Sequence, residues 1–292
     1  MKFQFIADQR SNHAVEKMCS TLGVSKSGYY KWVQEQNNEN SYQKRRKALL
    51  ARIKWLFVDT HQRYGSPKIT HLLRREGWKV SERLVGKIMG EHGLRSCVSK
   101  KFRVATTDSN HSDPIAPNVL NQNFKTTAPN KVWVTDITYI PCREGRLYLA
   151  SVLDLFTRKI IGWKLADRMT TDVVLSALDD AYASEKPAKG LIHHSDRGSQ
   201  YASGEYRARL KTYKMKASMS RKGNCYDNAC IESFHSVLKK EFIYCTTFRT
   251  KAQAQQGVFE YIELFYNRKR IHGSLGYLSP VRFEEAYYKT IA

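Results

Sequence analysis

The chain has 292 residues and 27 acidic side chains, and a few of these acids interrupt runs that are otherwise apolar. Asp136 stands within residues 131–140, a β-branched and aromatic run, and two-residue alternation puts it on one face with Val134 and Thr138. A carboxylate there needs a partner, a metal or an open cleft. Asp196 ends the short apolar run that carries Ile192, in His193-His194-Ser195-Asp196-Arg197-Gly198-Ser199, and strand carboxyl ends are where sites gather in open α/β sheets. Glu232 lies one turn inside a helix whose start is marked by Asp227 or Asn228, and 35 residues separate it from Asp196. Two strands and a helix can bring these three acids to one point. Three carboxylates without a nucleophile suit two-metal phosphoryl transfer, in which two Mg²⁺ ions about 3.5–4 Å apart activate the attacking oxygen and stabilise the leaving one. Asp and Glu oxygens match the hard-ligand preference of that ion. Asp154 and Asp227 compete for the same reading, the first as a structural or supporting acid and the second as a helix cap. Periodicity alone does not choose among the five.

The elements that must position these acids form a mixed α/β pattern. Strands are predicted at 131–140, 147–156, 159–165, 190–194 and 214–218, with a turn over 141–146. Amphipathic helices are predicted at 171–184, 203–213, 228–242 and 251–267. Three hairpin-linked strands followed by strands alternating with helices indicate a mixed sheet flanked by helices. Ahead of it the sequence is helical. Two short helices around Gly23, over about 14–33, have the outline of a helix-turn-helix, with Ser25 capping the second. A basic helix over 42–60 follows, then one opening at Tyr64-Gly65-Ser66-Pro67 and one from Ser81 to His92. Leu84, Val85, Ile88 and Met89 form the apolar stripe of the last, and Arg83 and Lys87, one turn apart, are placed to face phosphate. The expected organisation is a helical, helix-turn-helix-like DNA-binding region at 1–96, a Pro-, Asn- and Ser-rich linker at 97–130, and a catalytic domain with a helical tail at 131–292.

Charge supplies the partner class. The net charge is +22, and residues 1–103 hold 22 Lys+Arg against 8 Asp+Glu, leaving a net of +8 for the remainder. Such a surplus points to a polyanion, with nucleic acid the first candidate. A hydrophobic content of 41% excludes wholesale disorder. No apolar run reaches membrane-span length and the first residues hold no secretory apolar core, so a cytoplasmic, nucleoid-associated protein without a membrane partner is expected. The six cysteines form no C-x-x-C pair, which argues against structural zinc and for reduced thiols.

Trp133-Val134-Thr135-Asp136-Ile137-Thr138-Tyr139 resembles the first acidic block of DDE transposases and retroviral-type integrases. His194-Ser195-Asp196-Arg197-Gly198-Ser199-Gln200-Tyr201 resembles the second. The run Gly223-Asn224-Cys225-Tyr226-Asp227-Asn228-Ala229 through Glu232-Ser233-Phe234 and Leu238-Lys239-Lys240-Glu241 resembles the third, at the family's 35-residue spacing. Tyr266-Asn267-Arg268, Arg270, His272, Leu275 and Pro280 resemble the tail that follows. Together the blocks are similar to the OrfB-type transposases of the IS-three family of bacterial insertion sequences, over nearly the whole chain. Cys225 departs from the proline of many relatives.

That resemblance implies an RNase H-like five-stranded mixed sheet flanked by helices, preceded by the all-α region. It implies Asp136, Asp196 and Glu232 as catalytic, metal-binding carboxylates for two Mg²⁺ ions, with Mn²⁺ as substitute, and metal-dependent DNA cleavage and strand transfer during transposition. It associates Lys239 with DNA contact. Asn228, Glu232, His235, Ser236 and Lys239 share a helix face, which adds Asn228 and His235 as DNA-facing candidates. The expected partners are the element's terminal repeats and target DNA, a second copy of the chain, and an OrfA-like upstream product or a fusion with it. Two other readings stand beside this one: a non-catalytic DNA-binding regulator, which the intact set of acids disfavours, and an RNase H-like nuclease acting on RNA.

Overall fold

The computed structural model describes residues 1–37, 40–98 and 113–291. The chain divides into two units, Met1–Ser96 and Cys97–Ala292.

The first unit is all helical: α1 (Lys2–Gln9), α2 (Val15–Thr21), α3 (Lys26–Asn37), α4 (Ser41–Asp59), α5 (Ser66–Arg75) and α6 (Glu82–Glu91). Helix α1 was not anticipated; it has no side-chain cap and starts at the second residue. Its Ile6 is nonetheless fully buried against Met18, Cys19 and Tyr29, so packing holds what local sequence does not signal. Asn40 and Gln43 form a reciprocal capping box at the start of α4. Helix α5 carries Pro67 in its first turn, and Ser81 Oγ accepts the Leu84 amide to open α6. Ile53, Ile69, Leu73, Val85 and Ile88 close a second core between these three helices.

The second unit is built on a five-stranded sheet ordered β3-β2-β1-β4-β5, comprising β1 (Val132–Cys142), β2 (Gly145–Asp154), β3 (Ile160–Ala166), β4 (Ile192–Ser195) and β5 (Lys216–Met219). The first three strands are antiparallel neighbours, whereas β4 pairs parallel with β1 and β5 parallel with β4. Such parallel pairs require helical crossovers. These are α7 (Thr171–Glu185), then α8 (Ser199–Ala202) and α9 (Gly204–Thr212). One face of the sheet buries Trp133, Ala150 and Val152 against Val174, Ala177, Leu178 and Ala181 of α7 and Tyr206 of α9. Gly162 lets α7 approach β3: a Cβ there would stand 2.3 Å from the Ala177 carbonyl oxygen. The other face receives α10 (Ala229–Glu241) and α11 (Lys251–Phe259), and the chain ends in α12 (Pro280–Ile291).

Three expectations are corrected. The helix predicted over 251–267 is α-helical only to Phe259 and continues as a π-helix over Glu260–Tyr266, ending at Asn267. Asn267 uses its amide as a strand would, donating to the Ile160 carbonyl and accepting from the Ile160 amide, both at 2.9 Å. The turn expected over 141–146 is narrower, because Cys142 pairs with Gly145 and leaves a two-residue connection. The expected linker at 97–130 lies partly outside the described residues, and its second half is not a free tether. There the amides of Val119 and Leu120 donate to Ser218 Oγ on β5, and the Leu120 side chain is buried. This segment covers the outer edge of β5, where bare strand groups would otherwise be exposed.

Candidate active site

The parallel register of β1 and β4 sets Val132 beside Ile192 and Val134 beside His194. The same offset two residues further brings Asp136 level with Asp196, just past the end of β4 at Ser195. Neither position is an accident of side-chain choice: β4 stops at Ser195 while β1 runs on to Cys142, so both acids lie at the carboxyl end of the shorter strand. Asp136 Oδ1 accepts its neighbour's amide, Ile137 N, at 2.8 Å, and Asp196 Oδ1 accepts Gly198 N at 2.9 Å.

Glu232 comes from the first turn of α10, whose start is tied to the sheet. Asn228 is buried, and its Nδ2 donates to the carbonyl of Thr135, the residue before Asp136, at 3.2 Å. Glu232 is exposed. Partial loss of hydration, and then the fields of Asp136 and Asp196, hold its carboxyl above the ordinary carboxylate range. The three acids therefore share one electrostatic site. Among the described residues no three His, Cys, Asp or Glu side chains are close enough to enclose an ion.

The face of α10 beyond Glu232 is not uniformly turned to solvent. His235 was expected to face DNA, but it is buried. Its Nε2 shares a hydrogen bond of 2.8 Å with Ser151 Oγ, and its Nδ1 stands 3.4 Å from Asp136 Oδ2. Ser151 is the cross-strand neighbour of Asp136, so one imidazole braces an adjacent pair on the sheet. Asn228 is likewise buried and gives its Nδ2 to the β1 backbone, while its Oδ1 has no hydrogen-bond partner among the described residues. Both corrections have one cause: the helix face aligned with Glu232 is also the face that packs on β1. Lys239, two turns along, is only partly buried, and its Nζ lies 4.8 Å from the centre of the Tyr139 ring. Burial lowers its ammonium from the usual range, with Asp136 acting in the opposite sense.

The competing acids are structural. Asp154 collects the amides of Asn130, Phe156 and Thr157 and the Thr157 hydroxyl, organising the turn after β2. Asp227 does not cap α10. Fully buried, it receives the Arg221 amide and guanidinium, Asn118 Nδ2 and Gln122 Nε2 at 2.7–3.0 Å. The Arg221 pairing holds its carboxyl far below the usual range. His193 bonds the Tyr206 hydroxyl at 2.7 Å, and His194 bonds Ser218 and Ser220, so neither faces the acids. Burial depresses both imidazoles, to about 3 and about 4, and both are neutral. Arg83 and Lys87 are exposed on α6 in the helical unit. Ser151 and the partners of Asp227 were missed. The first was available from the hairpin, since pairing β1 with β2 across a short turn sets Ser151 opposite Asp136.

Family comparisons agree with this architecture. Residues 126–225 and 232–287 each match an integrase core domain model, and residues 44–102 match an HTH-like domain model. The chain is 44% identical over 275 residues to the insertion element IS600 uncharacterized 31 kDa protein of Shigella sonnei, covering 94% of this chain and 100% of that protein. It is 39% identical over 284 residues to transposase InsF for insertion sequence IS3A of Escherichia coli strain K12, covering 97% and 98%. The HTLV-2 integrase catalytic core domain in complex with magnesium, in its trimeric form, aligns at 15% identity and a TM-score of 0.43 over 55% of this chain and 99% of that one. An integrase core domain on a five-stranded mixed sheet defines a polynucleotidyl transferase of the DDE type. The chain belongs to the IS3 family of insertion-sequence transposases.

Proposed function

We propose that Asp136, Asp196 and Glu232 are the catalytic carboxylates, and that with divalent metal they cut and rejoin the DNA ends of an insertion sequence. The observation that carries this reading is the juxtaposition: two aspartates set level by the β1–β4 register, and a glutamate whose carboxyl is raised first by burial and then by both. An all-oxygen donor set fits Mg²⁺ or Mn²⁺, and a cluster of three negative charges cannot approach a phosphodiester without cations. When bound, two such ions supply Lewis acidity to the attacking and leaving oxygens.

The chain's own residues do the rest. Asn228 fixes the start of α10 to the Thr135 backbone and so sets the distance between Glu232 and Asp136. His235 and Ser151 hold Asp136 on the β1 face. Lys239 offers a cation at the same face for a DNA phosphate. On α6, Arg83 and Lys87 supply phosphate contacts that position a duplex without reading it. Working on two DNA ends calls for a homo-oligomer, together with an OrfA-like upstream product or a fusion with it.

Asp136→Asn, Asp196→Asn and Glu232→Gln should each reduce Mg²⁺-dependent strand transfer below detection while leaving duplex affinity within about twofold. Manganese titration calorimetry on the same variants should show lost metal binding independently of turnover. Full strand transfer by any one variant removes that residue from the set. Cleavage of RNA without joining of DNA 3′ ends would favour the nuclease reading, and DNA binding without cleavage in either metal would favour the regulator.

A further inference from the structure

The first three helices lie ahead of every matched family model and close a small core of their own within the helical unit. Helices α1, α2 and α3 bury Ile6, Met18, Cys19 and Tyr29 together, with Phe3, Val15, Leu22, Trp32 and Val33 packed around them. Between α2 and α3 lies a four-residue turn in which Gly23 takes a φ of +61°, a left-handed conformation that a β-carbon opposes. Ser25 Oγ then accepts the Gly28 amide at 3.0 Å and starts α3. A helix, a tight glycine turn and a capped second helix on a small apolar core are the parts of a helix-turn-helix.

The two faces of α3 differ in kind. Tyr29, Trp32 and Val33, at helical spacing, face the core. Ser27, Tyr30, Lys31 and Gln34, spaced i, i+3, i+4 and i+7, are all exposed. None of these four is acidic and Lys31 supplies a cation, while the one carboxylate of α3, Glu35, lies beyond them. Tyr30 leaves 52% of its surface open, and its ring is braced edge-on by Tyr29 at 5.3 Å. The side chains on this face are those that pair with base edges and phosphates: Lys with guanine, Gln with adenine, Ser and Tyr with either bases or backbone.

We propose that α3 is a DNA-reading helix, presenting Ser27, Tyr30, Lys31 and Gln34 to the major groove as a second recognition element separate from α4–α6. The inference rests on the reading of the chain as an enzyme that acts on DNA, and names where that enzyme takes sequence information. In this arrangement the second helix of the motif enters the groove and its exposed residues reach the bases, while α2 lies across the backbone.

The test is a selection of bound duplexes from a randomised 20-base-pair pool, using the full chain in chelator, so that no cleavage is required. The comparison is a variant carrying Ser27→Ala, Tyr30→Ala, Lys31→Ala and Gln34→Ala. Alanine is the best helix former, and all four positions are exposed, so folding should persist and is checked by circular dichroism. The wild type should enrich a motif. The variant should lose a contiguous block of it and bind the enriched duplex about tenfold or more weakly, with affinity for unselected duplex changed much less. Gln34→Glu alone should change the preferred base at one position. An identical motif from wild type and variant, or a wild type that enriches none, overturns the proposal. Because the selection is independent of strand transfer, either result leaves the carboxylate assignment to its own test.

Discussion

Helix α10 ends on a buried ion pair whose removal should unfold the catalytic unit at a much lower temperature. Glu241, its last residue, and Arg270, in the tail, are 6% and 8% exposed. The guanidinium donates through Nε and Nη2 to the two carboxylate oxygens at 2.9 and 2.8 Å, and the Tyr261 hydroxyl donates to Glu241 Oε2 at 3.1 Å. Burial opposes the Arg270 charge, but the Glu241 pairing outweighs it and holds the guanidinium above its usual range. Arg270→Met leaves the Glu241 carboxylate in the interior without its cation. Breaking such a pair from one side costs about 3–5 kcal/mol, because a buried charge is left uncompensated. For a domain near 200 residues each kcal/mol shifts Tm by about 2–4 °C, so the melt should fall by roughly 6–20 °C. The double variant Arg270→Met/Glu241→Met, which removes both charges and keeps apolar volume, should recover most of the loss. Arg270→Lys should recover less, since an ammonium lacks the two-pronged geometry. The assay is thermal unfolding followed by near-ultraviolet circular dichroism. An Arg270→Met variant melting within about 2 °C of wild type, or a double variant no more stable than the single, would refute the reasoning.

Two further outcomes follow from the site and the sheet. On the proposed role of Asp136 as a metal ligand, His235→Leu should raise the Mn²⁺ concentration needed for half-maximal binding by about 10–100-fold, the usual cost of losing a ligand's supporting partner, with binding read by calorimetry as well as by strand transfer. An unchanged metal titration would show that His235 only fills space. His193, held near 3 by burial first and by His194 second, binds fewer protons folded than unfolded, where its pKa is about 6.5. Its contribution to stability is therefore complete above about pH 6.5 and is lost as pH falls toward 3, at up to about 1.4 kcal/mol per pH unit. Between pH 6.5 and 5, urea unfolding of the wild type should lose about 1.5 kcal/mol more than His193→Gln. Parallel pH profiles would contradict this.

Much of the fold was legible because the sheet and most helices obey simple periods. The β-branched run around Asp136 and the stripe Val85, Ile88, Met89 give strand and helix directly. Helix α1 and the π-helix were not legible. The first has no cap and depends on Ile6 reaching a core supplied by α2 and α3. The second differs from an α-helix only in hydrogen-bond register, which side-chain spacing over seven residues does not reveal. The segment at 113–130 looked like a tether because its composition is that of a loop, and its bonds go to β5 and Asp227, about a hundred residues away.

For the site, the division has the same origin. The sequence by itself determined which acids could take part, the strand and helix carrying each, and, through resemblance, the family. Those properties are local or are written as ordered blocks along the chain. Only the tertiary structure decided which side of each element faces what. Asn228 and His235 share a helix face with Glu232, yet packing on β1 turns them inward as fasteners of the carboxylates. Asp227 carries a residue type that suits a cap, yet it is drawn into a buried network with Arg221. Helical spacing fixes relative angle but not absolute orientation, and orientation comes from what lies across the interface.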